Sequence, residues 1–354
     1  MGTENYPLGV AGIREMIKRE LLGQTIFSLY TRRLRQVFFD KHNSGHISTV
    51  EAFNIWNSLR ARYASIQTHK TDMNFVHDRD LYMLLRNHLS HFGKQVNVLE
   101  KAAKDYKVKP PARPPEEINF TTKIDEITDD YIFKRIYADL HAELFALSRA
   151  TRSSTTNDNL RKIFNDIFLV HINIFERYYK YGKLKGWTDI EPSYTSFKEV
   201  EREQLSVSEA YHIWDHLNER YDQIQLTQFY LTFAHDADFK KILSRGLTEL
   251  TKQASILEKL ATKFYVPLPK KPPAFQEASV DPEIMEDNFV FRRLFTGIQA
   301  AIGLHIRAVV ETVRNDYLRE EFYKLLKKEL EILDAYLKYG KLKGWLPAVP
   351  TYSP

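Results

Sequence analysis

The chain has no cysteine among its 354 residues. That excludes a disulfide framework, a thiolate nucleophile and any cysteine-ligated metal centre, and it fits a reducing compartment. Long apolar runs are missing too: none approaches the ~20 residues that a membrane-spanning helix requires. The opening MGTENYPLGV lacks the basic start and continuous apolar core of a secretory signal. Charge of one sign is also scarce, since 51 basic residues stand against 46 acidic ones for a net +5. Such a mixed surface gives no expectation of nucleic-acid binding. There is no Gly-rich phosphate loop and no Gly-x-Ser-x-Gly elbow, so no specific small-molecule substrate is implied. The expectation is a soluble, cytoplasmic protein.

What is present occurs twice. YYKYGKLKGW runs from Tyr178 to Trp187 and YLKYGKLKGW from Tyr336 to Trp345, 158 positions later. Residues Ser48 to Tyr194 align without a gap on Ser206 to Tyr352, with roughly a third of positions identical, which marks an internal duplication. The expected organisation is an N-terminal extension over 1–46, a first unit over 47–198 and a second over 199–354. The extension carries apolar residues at helical spacing among basic ones between Ile13 and Phe39.

Within each unit the 3.6-residue period predicts four helices. The first covers Glu51–Thr68 with Ala52, Ile55, Trp56, Leu59 and Tyr63 on its inward stripe, matched by Ala210, Ile213, Trp214, Leu217 and Tyr221. Ser48…Glu51 and Ser206…Glu209 read as capping boxes that open it. The second runs from about Asp72 to Tyr106. Proline then forbids helix in KVKPPARPPEEINF and YVPLPKKPPAFQEA. The third covers Asp129–Arg152 and Asp287–Thr312. Asn157-Asp158 and Asn315-Asp316 cap the fourth, which is predicted to end near Gly182 and Gly340. Short, long and short connections in that order describe a four-helix bundle with one crossover, as in ferritin-like folds. The fold class is therefore all-α, with two tandem four-helix bundles joined in one chain.

These pieces resemble a known family. Ser-x-x-Glu-Ala-x-x-Ile-Trp at both unit starts, Val-x-x-Pro at Val108 and Val266, Arg314-Asn315-Asp316, and Lys-Gly-Trp-Leu-x-x-x-Pro-x-Tyr from Lys343 to Tyr352 are similar to DUF3231. The resemblance covers residues 47–354. It implies a ferritin-like, tandem-repeat protein of spore-forming Firmicutes with no established biochemistry. Some members are described as candidate spore coat proteins, which implies a forespore or spore-associated location.

A ferritin-like di-iron centre needs Glu-x-x-His on two of its helices, so that carboxylates balance two cations. The chain offers only Glu209–His212, in a capping turn, and its counterpart is Glu51–Asn54. A looser set, His88, Glu143 and His171, falls at mid-bundle height on three helices. Two imidazoles and a carboxylate could hold a transition metal with an open position, or simply form a buried hydrogen-bonded trio. The second unit has Gly246, Ala301 and Glu329 at these places. His77 with Asp80, repeated as His235 with Asp238, is expected to be structural, with the imidazole turned inward and the Asp accepting from it. Three further repeat-matched charges, Glu100/Glu258, Arg135/Arg293 and Glu176/Asp334, are expected to pair together at the other end.

The functional expectation is a non-catalytic structural or interaction protein, without a cofactor, whose partners are other proteins or further copies of itself. One alternative is a metal-binding bundle using His88, Glu143 and His171. Another is association with a membrane surface through the amphipathic segment 10–39.

Overall fold

A computed structural model describes residues 46–113, 127–188, 204–271, 286–346 and 350–353. One compact unit spans Ser48–Pro354 and contains both repeats. The basic amphipathic segment lies outside the described residues.

The described residues form eight helices and no strand. The first repeat holds α1 (Thr49–Asp72), α2 (Arg79–Asp105), α3 (Asp129–Ser153) and α4 (Asp158–Lys185). The second holds α5 (Val207–Phe233), α6 (Ala237–Lys263), α7 (Asp287–Glu311) and α8 (Asp316–Lys343). In each repeat the first two and the last two helices pack as hairpins, and α1 lies against α3 as α5 lies against α7.

Capping contacts fix the direction of each helix. The side chain of Ser48 accepts from the Glu51 N–H, and Glu51 accepts from the Ser48 N–H at 2.8 Å, which completes the expected box. The other oxygen of Glu51 accepts from the Thr156 and Asn157 N–H groups at 2.9 and 2.8 Å. The starts of α1 and α4 therefore share one end of the bundle. At the opposite end Asp129 accepts from the His77 and Asp78 N–H groups, both at 2.9 Å, tying the start of α3 to the start of α2. The helices thus run up, down, down, up, so α2 ends and α3 starts at opposite ends of the bundle. Glu209 and Asp287 repeat every one of these contacts in the second half.

Two expectations about helix ends are corrected. Asp72 is the last residue of α1 rather than the first of the next helix, and α2 starts only after the Asp78 cap. No Gly or Pro marks the turn between them, so periodicity ran through it. Helix α2 closes on Lys107 at φ 57, followed by a Val108 N–H to Ala103 O bond of 2.8 Å, and Tyr265 at φ 56 repeats this before Val266. A left-handed residue there turns the backbone into the Pro-rich segment. The fourth helices do not end at Gly182 and Gly340 but one turn later, at Gly186 (φ 73) and Gly344 (φ 68).

Gly182 and Gly340 have a packing role instead. A methyl group on either would overlap the ring of Phe133 or Phe291. These rings stack on Tyr178 at 4.7 Å and Tyr336 at 4.4 Å, and Trp187 and Trp345 close over them. Alanine is favoured over glycine in a helix by about 1 kcal/mol, whereas overpacking a filled core costs about 1–3 kcal/mol. Gly182→Ala and Gly340→Ala should therefore destabilise, by urea titration of the purified protein. A gain of stability in both would show that the ring moves freely.

The outer face of the first helix also departs from expectation. Trp56 and Trp214, placed inward by periodicity, are 37% and 39% exposed.

Candidate functional site

Each bundle buries a layer of polar side chains at mid-height. In the first, α1 supplies Arg62, Ser65 and His69, α2 His88 and Gln95, α3 Glu143 and α4 His171. The structure thus brings Glu143 and His171 into contact, while His88 stands in the same layer against His69. Glu143 is ion-paired with Arg62, accepts from the Ser65 hydroxyl, and lies 3.1 Å from His171 Nε2. Arg62 also donates to Gln95 at 3.3 Å and lies over the Phe92 ring. His69 donates through Nδ1 to the Ser65 carbonyl at 2.8 Å. Its Nε2 is thereby the acceptor for His88 Nδ1–H at 3.2 Å.

Burial, against the pull of these hydrogen bonds, sets the protonation states of the imidazoles. Burial pulls His69 down to about 4, against the opposing pull of Glu143. Burial likewise holds His88 well below 6.5 and lowers His171. For Glu143 burial alone would raise the pKa, but the Arg62 guanidinium and the His171 hydrogen bond overcome it and hold the carboxyl far below the usual range. The layer at neutral pH is therefore one carboxylate, one guanidinium and neutral imidazoles. Among the described residues no group of three His, Asp or Glu side chains is set to hold a metal ion.

The second bundle has its own version, which position-by-position comparison missed. Arg220 occupies the place of Arg62, but the imidazole now comes from α7 and the carboxylate from α8. His305 Nε2 accepts from Arg220 at 2.7 Å, and Glu329 lies 3.7 Å from both. His216 donates to the His212 carbonyl at 2.8 Å, 5.1 Å from His305 ring to ring. Glu143 and His171 in one bundle become His305 and Glu329 in the other, with the two side-chain types exchanged between the third and fourth helices. The signal available in sequence was the matched Arg62/Arg220 on the buried face of a first helix.

The other predicted positions lie at the bundle end. His77 is exposed rather than inward, and its role passes to its own backbone N–H, bound by Asp129. Asp80 and Asp238 stand exposed in the first turns of α2 and α6, and the His235 ring lies 3.8 Å from Asp287. The three matched charges do not gather together. Glu100 binds Tyr63 and Arg113, as Glu258 binds Tyr221 and Lys271, while Arg135 pairs with Asp72. Glu176 and Asp334 pair across the repeats, with Arg319 and Arg161.

The duplicated YGKLKGW motif sits at that junction. Its second lysine stays within its own bundle: Lys185 binds the α2 cap Asp78 at 2.6 Å, and Lys343 binds Asp236. Its first lysine crosses to the other bundle. Lys183 donates to the Arg314 carbonyl at 2.7 Å beside Asp316, and Lys341 donates to the Thr156 carbonyl at 2.9 Å and to Asp158. Among the described residues no helix is long and apolar enough to cross a membrane.

No curated protein matches the chain significantly. Among solved structures, a "putative spore coat protein" from Bacillus halodurans C-125 is similar at 20% identity and a TM-score of 0.39, over 42% of this chain and 96% of its own. Residues 197–354, the second repeat, match the model of DUF3231, a protein family of unknown function, to which the motifs had pointed.

Proposed function

We propose that the chain is a non-catalytic structural or interaction protein associated with the spore, acting through contacts with proteins or further copies of itself. The spore association is supported by the DUF3231 motifs, since members of that family are described as candidate spore coat proteins. The observation that carries the non-catalytic reading is the way Glu143 is occupied. A metal ion held by His88, Glu143 and His171 would have to displace or face the Arg62 guanidinium, which is 2% exposed and bound to the same carboxylate. Like charge at that distance in a poorly solvated interior strongly opposes a dication.

Metal binding at this layer is the rival reading, favoured only by the contact of Glu143 with His171. The separating experiment is elemental analysis of the full-length protein produced with iron, zinc and manganese supplied. Metal far below one equivalent per chain is the expected result. Stoichiometric metal that His171→Ala removes would overturn the proposal.

A further inference from the structure

We infer that the two repeats recognise each other through a two-fold charge code that needs no covalent link, so that a unit of this kind is built to pair with another unit of the same kind. The inference goes beyond the function proposed above and does not rest on it.

The contacts between the repeats are reciprocal. Lys183 reaches the Arg314 carbonyl and Asp316, and Lys341 reaches the Thr156 carbonyl and Asp158. Arg161 pairs with Asp334 at 2.6 Å, and Arg319 stands 3.6 Å from Glu176. Every residue in these pairs has its own counterpart 158 positions away in the other repeat. That is the pattern of an isologous interface, in which one patch meets its own copy. Each patch presents both halves of the code: a lysine in the last turn of the last helix, and an acid-opened helix start to receive it.

The patch is also buried like a permanent interface. Arg161 and Arg319 are 3% and 4% exposed, so separation of the repeats would uncover guanidinium groups that now lie among partners. A third crossing adds backbone. The Thr49 N–H donates to the Pro350 carbonyl at 3.0 Å, Ser48 bridges Thr351, and the Tyr352 hydroxyl donates to the Lys107 carbonyl at 3.4 Å. The end of the second repeat is thereby fastened to the start of the first. One pair breaks the symmetry: Arg152 and Gln299 bind each other's carbonyls at 3.0 and 2.9 Å. Their counterparts are Val310 and His141, which cannot copy the exchange, so unlike repeats are favoured over like ones.

A covalent linker would then serve only to raise effective concentration. The test inserts a protease site within residues 189–203 of the full chain and cleaves after folding. The two halves should remain together, eluting with the mass of the uncut chain at micromolar concentration. Lys183→Glu with Lys341→Glu should weaken the cleaved pair at least tenfold, and Lys183→Gln with Lys341→Gln serves the same purpose if charge reversal prevents folding. Adding Asp158→Lys and Asp316→Lys to the reversed protein should restore part of the loss. Halves that separate while each stays helical would overturn the inference. So would halves whose affinity is indifferent to both pairs of lysine substitutions.

Discussion

Glu143→Ala should lower the stability of the first bundle by about 3–5 kcal/mol, because it leaves the buried Arg62 guanidinium without its counter-charge. The surrounding groups cannot replace it, since Gln95 offers Arg62 one neutral oxygen at 3.3 Å and His69 is committed to Ser65 and His88. Urea titration followed by circular dichroism reads the change directly. The corresponding Glu329→Ala should lose less, because Glu329 lies 3.7 Å from Arg220 and burial raises its pKa. Equal losses in the two bundles would mean that the shorter contact carries no extra stabilisation. Replacing Arg62, Glu143 and His171 together by apolar side chains of similar volume should restore most of the loss, since a well-packed apolar set is often as stable as a buried ion pair.

Much of this fold was open to reading because the duplication and the period point the same way. Ser48 and Ser206 cap where the Ser-x-x-Glu spacing says, and Asn157 and Asn315 cap the fourth helices. Legibility failed wherever a residue serves a partner distant in sequence. Glu51 was identifiable as a capping residue, but its hold on Thr156 and Asn157 depends on where α4 begins in space. Lys183 and Lys185 are two positions apart with the same chemistry, yet one faces the other repeat and the other its own α2 cap. Nothing in the local pattern distinguishes them.

The buried layer shows the same limit from the other side. Comparing repeats column by column finds His171 opposite Glu329 and Glu143 opposite Ala301, which reads as loss of a site. In space the guanidinium, imidazole and carboxylate are retained, because facing helices in a bundle can exchange side chains while filling the same layer. What the duplication conserves here is a charge balance around Arg62 and Arg220, not a set of positions. That pattern fits an internal packing role better than a ligand role, since metal coordination demands particular directions from particular donors.

Acidification should unfold this protein well before carboxylate protonation becomes general. His69 faces Ser65, His88, Glu143, Arg62, His171 and Phe92, and its folded-state pKa falls from 6.5 to about 4. An unfolded chain takes up that proton near pH 6.5 while the folded one refuses it, so the contribution of His69 is fully present above about pH 6.5. It is lost as pH falls toward 4, and the gap between 6.5 and about 4 corresponds to about 3 kcal/mol. His88, His171, His216 and His305 are also lowered and act in the same direction, the last two facing Arg220. Glu329, raised by burial, opposes them, but it is one group against several. Urea midpoints should therefore stay level from pH 8 to 7 and drop steeply between pH 6.5 and 5. His69→Gln keeps a neutral polar group in place and should flatten that drop. Stability that is unchanged between pH 7 and 5 would mean that the buried imidazoles are hydrated well enough to charge in place, and the neutral imidazoles described above would have to be abandoned.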